Sequence, residues 1–278
     1  MRTETPPLRR LAGMGALVLA TALGACATIT PQQEVQLGLQ QAREINQQLP
    51  IVSDAALEQY INSLGDQLVR QARRQFDYTF YIVNTDAVNA FALPGGFVYV
   101  NRGLIEQTEN LSELAGVLAH EIAHVEERHG AEQLERAQTA NLVVAIPYIL
   151  TGRTPTGLER AAVGIAGTAY LTRHSREAER EADRVAVSLL VGAGISPQGL
   201  ITFFQKLLSE RQRRPSQLEQ WFSTHPLTEE RIRDVQSVLN TVPPAQLRNL
   251  TTTSAAYRDF KARMQRYPQP PAEFRTGR

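Results

Sequence analysis

Apolar residues recur along this chain mostly at helical rather than alternating spacing, and the elements they predict are mainly helices. Residues 31–49 place Val35, Leu37, Leu39, Ile45 and Leu49 among glutamines and read as a first helix, which Pro50 interrupts. Ser53 is the expected N-cap of a second helix to about Arg74, with Leu57, Ile61, Leu64 and Leu68 on one stripe. The β-branched and aromatic run Tyr78 to Val83 predicts a strand. Ala90 to Val100 predicts another, bent at Pro94-Gly95-Gly96. The clearest helix spans Asn110 to His129. Asn110 caps it, Glu113 completes a capping-box-like start, and Gly130 stops it.

More helices are expected over 131–148, from Arg173 to Leu190, from Ser196-Pro197 to about Ser209, from a Thr228 cap to Leu239, and over 252–266. Between them lie a polar turn at 152–157, small apolar residues at 161–171 and a basic loop at 211–217. Residues 142–150 are apolar but too short to span a bilayer, and read as core or a lid. Helices with a small strand cluster give an α+β class, and the clustering argues against a parallel βαβ sheet.

The N-terminus does not read as fold. Arg2, Arg9 and Arg10 precede an apolar stretch, Leu11 to Leu23, of signal-peptide length. It ends in Leu23-Gly24-Ala25-Cys26, which resembles the lipobox of bacterial lipoproteins, cut before a cysteine that then carries lipid. Cys26 is the only cysteine, so no disulfide framework is expected. The expected division is a leader over 1–25, one domain over 26–266 and a loose Pro-rich tail over 267–278. No aspartate follows Cys26, and by resemblance that points to the periplasmic face of an outer membrane.

Hydrophobic residues at 42% allow a sizeable core, and a formal net charge of +1 provides no field to draw nucleic acid. The chemistry lies in His120-Glu121-Ile122-Ala123-His124. On a helix, residues four apart lie within about 40° of each other, so both imidazoles face one point, as zinc ligands must. Glu121, about 100° round from His120, stands where a base for an attacking water belongs.

A third ligand is needed for an open catalytic site. His129, about 180° round a continuous helix, faces away and reads as a helix C-terminal residue; His174 reads as a surface histidine. In Arg176-Glu177-Ala178-Glu179-Arg180-Glu181-Ala182-Asp183, Glu177 and Glu181 share a polar stripe, while Glu179 and Asp183 border the buried face. Glu179 is therefore the expected ligand, with Asp183 behind a ligand histidine.

These segments together resemble the HtpX and CAAX-prenyl-protease family of zinc metallopeptidases, in its soluble periplasmic branch. The likeness covers roughly residues 35–240, and includes Asn89-Ala90-Phe91-Ala92-Leu93-Pro94-Gly95-Gly96 and Ser223-Thr224-His225-Pro226. It implies a mostly helical zincin-like domain holding one zinc ion on His120, His124 and Glu179, with Glu121 as the base. It implies that the strand after Pro94 (Gly95, Gly96, Phe97, Val98) is the edge strand on which a polypeptide substrate lies. The activity implied is endopeptidase cleavage of misfolded envelope or outer-membrane proteins, with envelope assembly partners. A protease-fold chaperone is the alternative, and a closed structural zinc site a further rival. His225, stiffened by Pro226, reads equally as a fourth ligand that keeps the enzyme latent and as a loop histidine bonded to backbone. Arg231 and the tyrosines are the open candidates for an oxyanion donor.

Overall fold

The computed structural model describes residues 29–74, 76–137, 174–213 and 215–276. They form α1 (Pro31–Gln48), α2 (Ala55–Val69), β1 (Thr79–Val83), β2 (Ala90–Leu93), β3 (Phe97–Asn101), α3 (Arg102–Gln107), α4 (Leu111–Glu126) and α5 (His129–Ala137). After the undescribed stretch come α6 (Arg176–Gly192), α7 (Gln198–Glu210), α8 (Pro215–Thr224), α9 (Glu229–Thr241) and α10 (Ala255–Arg266). The architecture is α+β and mostly helical, as the periodicity predicts. The leader with Cys26, the segment 142–150, the turn at 152–157 and the stretch 161–171 lie outside the described residues. Among the described residues no helix is long and apolar enough to cross a membrane.

Caps set most helix starts. Thr30 and Gln33 close a reciprocal capping box on α1, with Pro31 at its first position. Asp54, not Ser53, caps α2 by accepting from the amides of Ala56 and Leu57. That helix ends at Val69, short of Arg74, because the arginines beyond it have other work. Arg73 pairs with Glu126, and Arg74 Nε donates to the Glu126 carbonyl at 2.6 Å, closing the C-terminus of α4.

The three strands form one sheet in the order β1-β3-β2. β2 and β3 are an antiparallel hairpin, Ala90 opposite Val100 and Leu93 opposite Phe97. Its turn needs Gly95 and Gly96, which sit at φ 78° and 101°. β1 pairs with β3 in parallel, Thr79 opposite Phe97. A parallel pair therefore exists despite the close spacing, made by a hairpin doubling back rather than by a helical crossover. One sheet face, with Phe80, Ile82, Val98 and Val100, enters the main core; the other, with Phe91, Leu93 and Tyr99, packs in a smaller cluster with Ala42 and Ile45 of α1. β3 is buried throughout.

Residues 215–224 form a helix rather than the end of a basic loop, with Pro215 at its first position and Leu218 and Trp221 inward. The tail is docked, not loose: Arg102 Nη1 donates to the Pro268 carbonyl at 2.8 Å, and Thr85 Oγ1 to that of Phe274 at 2.8 Å.

Candidate metal centre

Every residue of α4 is buried. The sequence predicts one buried face, but α2, β2, α6 and α7 all pack against this helix, so its polar side chains too must find partners inside the protein. α4 and α6 both bury alanines (Ala115, Ala119 and Ala123 on one, Ala182 and Ala186 on the other), and such small side chains let helix axes approach closely. Gly199 of α7 serves the same end, since a Cβ there would stand 2.2 Å from the Ser112 carbonyl carbon.

His120 and His124 bring their Nε2 atoms to 3.0 Å. Glu179, fully buried on the first turns of α6 after a Ser175 cap, reaches the same point, with Oε2 3.5 Å from His120 Nε2 and Oε1 3.4 Å from His124 Nε2. His225 arrives just after α8, its amide bonded to the Trp221 carbonyl. Its Nδ1 lies 3.4 Å from His120 Nε2 and 3.2 Å from Glu179 Oε1. One donor atom from each of these four residues lies within 4.8 Å of the others. Ligand atoms about 2.0–2.1 Å from a tetrahedral zinc are about 3.4 Å apart, so the donor set fits that ion. Glu121 stands beside the set, with Oε1 3.5 Å from His225 Nε2 and without a hydrogen-bond partner for that oxygen among the described residues.

Asp183 lies against the far nitrogen of His120, Oδ1 3.0 Å from Nδ1. Arg231 clamps the two carboxylates of α6. Its Nε and Nη2 each donate to Asp183 at 2.8 Å, and its Nη1 donates to Glu179. The guanidinium lies over the Phe204 ring, 4.7 Å from its centroid. Nε, Nη1 and Nη2 of Arg231, an open candidate for the oxyanion donor, are all engaged in this clamp. Glu177 faces solvent, 81% exposed.

Two histidines expected away from the metal, His129 on helical geometry and His174 as a surface residue, stand at the site. α4 ends at Glu126, and Arg128 at φ 61° turns the chain before α5 starts at His129. That left-handed residue swings His129 back onto His124, Nδ1 to Nδ1 at 2.8 Å, with His129 Nε2 3.4 Å from Glu181 Oε2. His174 stacks on His124 with centroids 4.0 Å apart, and its Nδ1 meets Gln133 Nε2 at 3.2 Å. All five histidines of the chain converge here. His129 was not legible as a neighbour, because Arg128 is not a residue that announces a helix break. Gly130, two residues on, was the one hint.

Burial and charge divide the titrations. Burial opposes charge on His120, but Asp183 and Glu179 outweigh it and push its pKa up to about 9. Burial, with His174 beside it, holds His124 well below the usual histidine range. Burial and the nearby His225 take His174 down to about 3. Burial would raise Glu179 and Asp183, yet Arg231 beside them keeps both low. Burial raises Glu121.

The edge strand is not the one expected. β3 is hydrogen-bonded on both sides, so Phe97 and Val98 have no free edge, and Gly95 and Gly96 form the turn. Among the described residues the outer side of β1 is met by Ile51, Val52 and Asn62, and the unpaired edge is that of β2, before Pro94. Phe91, Ala92 and Leu93 line a cleft whose other wall is Glu121, His124, His174 and His225.

The peptidase family M48 profile matches residues 55–239. The chain is 36% identical over 225 residues to the beta-barrel assembly-enhancing protease of Escherichia coli (strain K12), covering 78% of this chain and 46% of that protein. It is 34% identical over 161 residues to the metalloprotease YcaL of the same strain, covering 58% and 61%. It is 29% identical over 178 residues to the mitochondrial metalloendopeptidase OMA1 of Schizosaccharomyces pombe, covering 63% and 50%. The chain spans about half the length of the assembly-enhancing proteases it matches.

Proposed function

The chain belongs to peptidase family M48, and on that premise we propose that it is a zinc-dependent endopeptidase whose metal is held by His120, His124 and Glu179. The observation that carries the reading is the meeting of two imidazole nitrogens and a fully buried carboxylate at tetrahedral spacing, with a second buried carboxylate, Glu121, beside them. Zinc there would supply Lewis acidity, lowering the pKa of water to about 7 and polarising the scissile carbonyl. Glu121 takes the proton of the attacking water and returns it to the leaving amine. Its burial raises its pKa toward the range in which one carboxyl group can do both. An extended polypeptide adds to the free edge of β2 by main-chain hydrogen bonds. His225, whose Nδ1 completes the donor set, acts as a latch that fills the open position until substrate displaces it.

The proposed setting is the cell envelope. Cys26 carries lipid and anchors the chain at the periplasmic face of the outer membrane. Its substrates are misfolded envelope or outer-membrane proteins, in keeping with the assembly-enhancing name of its relatives. The anchor is tested by membrane fractionation of Cys26→Ser, which should leave the membrane fraction or persist as precursor.

The activity is tested by casein cleavage with and without chelator, beside metal content. Glu121→Gln should bind zinc as the unaltered protein does and lose roughly a hundredfold or more in turnover. Retained turnover in that variant removes Glu121 as the base. Chelator-resistant cleavage removes the metal.

A further inference from the structure

His120 and His124 each need the nitrogen remote from the metal to be fixed, because that nitrogen's hydrogen bond decides which ring atom offers a lone pair. His120 has Asp183 in this place. Among the described residues no carboxylate stands directly behind His124; its Nδ1 meets His129 Nδ1 at 2.8 Å, while His129 Nε2 lies 3.4 Å from Glu181 Oε2. His129 is itself only 6% exposed, whereas the Glu181 side chain is 44% exposed.

We infer that His129 is the positioning residue of His124. It accepts the Nδ1 proton of His124, which leaves Nε2 free for the metal, and Glu181 holds His129 in the tautomer able to accept. A chain of donors runs outward: His124 Nδ1–H donates to His129 Nδ1, and His129 Nε2–H donates to the Glu181 carboxylate. With Nε2 of His124 given to the metal, its Nδ1 carries the proton, and each bond then has one donor and one acceptor only in this arrangement. His129 is not a ligand in reserve. Its contact is with Nδ1 of His124, not Nε2, and it is absent from the group of donors that meet at one point. The left-handed turn at Arg128 brings it there, and Arg128 is in turn held by Glu34 at 2.8 Å.

The inference rests on His124 being a metal ligand, so His124→Ala is measured alongside. Zinc affinity is read by competition with a chromophoric chelator, and the ring tautomer of His124 by nitrogen NMR on the metal-free protein. His129→Leu should weaken zinc binding by about ten- to a hundredfold. In the NMR experiment it should turn a single Nδ1–H form of His124 into a mixture. His129→Asn places an amide oxygen where Nδ1 stood and should recover most of the affinity, a rescue that a purely space-filling role would not show. Glu181→Gln should weaken binding by a few-fold. Should His129→Leu fail to fold, the tautomer in unaltered protein and in Glu181→Gln decides. An Nε2–H form of His124 in the unaltered protein overturns the inference, as does equal weakening by His129→Leu and His129→Asn. Unchanged affinity in His124→Ala instead overturns the ligand set and leaves the His129 contact a packing feature.

Discussion

His120 and His124 offer Nε2 atoms to one point, but what stands behind them differs. Behind His120 is a sealed cluster of full charges: Asp183, Glu179 and the Arg231 guanidinium that clamps both. Behind His124 are two more imidazole rings, His129 and His174, leading out to a Glu181 that is partly in water. The inner half is held by long-range charge in a low-dielectric setting, where each member depends on the rest. The outer half is held by stacking and single hydrogen bonds, which yield more easily. A metal centre that must stay folded yet admit substrate is served by one rigid wall and one that adjusts, and the cleft opens on the adjustable side, beside His174 and His225.

The sharpest way to break this contrast is to remove the carboxylate at its hinge. Glu179→Ala should lose one of the metal's donors and weaken zinc binding by roughly a hundredfold or more, about 3 kcal/mol of the total for a structural-strength site. Glu177→Ala, two residues earlier and exposed, should bind zinc normally and unfold within about 0.5 kcal/mol of the unaltered protein. Chelator competition and denaturant titration check both. Loss of zinc from the Glu177 variant would mean that the inward stripe of α6 is misassigned.

That stripe was legible because α6 is regular: from its Ser175 cap, Glu179 and Asp183 fall on one line, and Ala186 and Leu190 continue it inward. His120, Glu121 and His124 were legible for the same reason. What failed was everything that depends on chain paths between helices. Arg128 adopts a left-handed turn with no glycine or proline to mark it, so His129 was placed by a helix that had already ended. The order of the strands was likewise invisible. Phe97 and Val98 look like an edge until β1 is seen to pair on their outer side. Arg231 shows the remaining limit, since its partners lie 48 and 52 residues away and only packing brings them together.

The second contrast is energetic. Arg231→Leu leaves Asp183 and Glu179 buried with their counter-charge gone, and breaking such a buried cluster costs about 3–5 kcal/mol. Urea unfolding of the metal-free protein should show it as a large fall in midpoint. On the outer side, His174→Phe keeps a ring stacked on His124 and should cost under about 1.5 kcal/mol. Equal losses would mean that the two walls are equally rigid and that the contrast is one of charge alone. The latch gives a smaller effect again. His225→Ala should raise basal casein cleavage while zinc content stays the same. Reduced cleavage with His225 lost would make it part of the reaction rather than a gate.

The smallest effect is a count of protons. In the metal-free protein the charged cluster is balanced: Glu179 and Asp183 are ionised, Arg231 is positive, and His120, with a pKa of about 9, keeps a proton at pH 7. His124 and His174 are neutral and have none to lose. A divalent cation bound at His120 Nε2 displaces the proton held there, so uptake of zinc should release about one proton at pH 7. The sign follows: each proton displaced makes zinc binding weaker as pH falls. Below about pH 9 the His120 proton accounts for a tenfold loss of affinity per pH unit. Titration calorimetry in buffers of different ionisation heat measures the count directly. Release of no proton at pH 7 would mean that His120 is already neutral. Asp183 would then act on its tautomer and not on its charge, and the inner wall would resemble the outer one more closely than its carboxylates suggest.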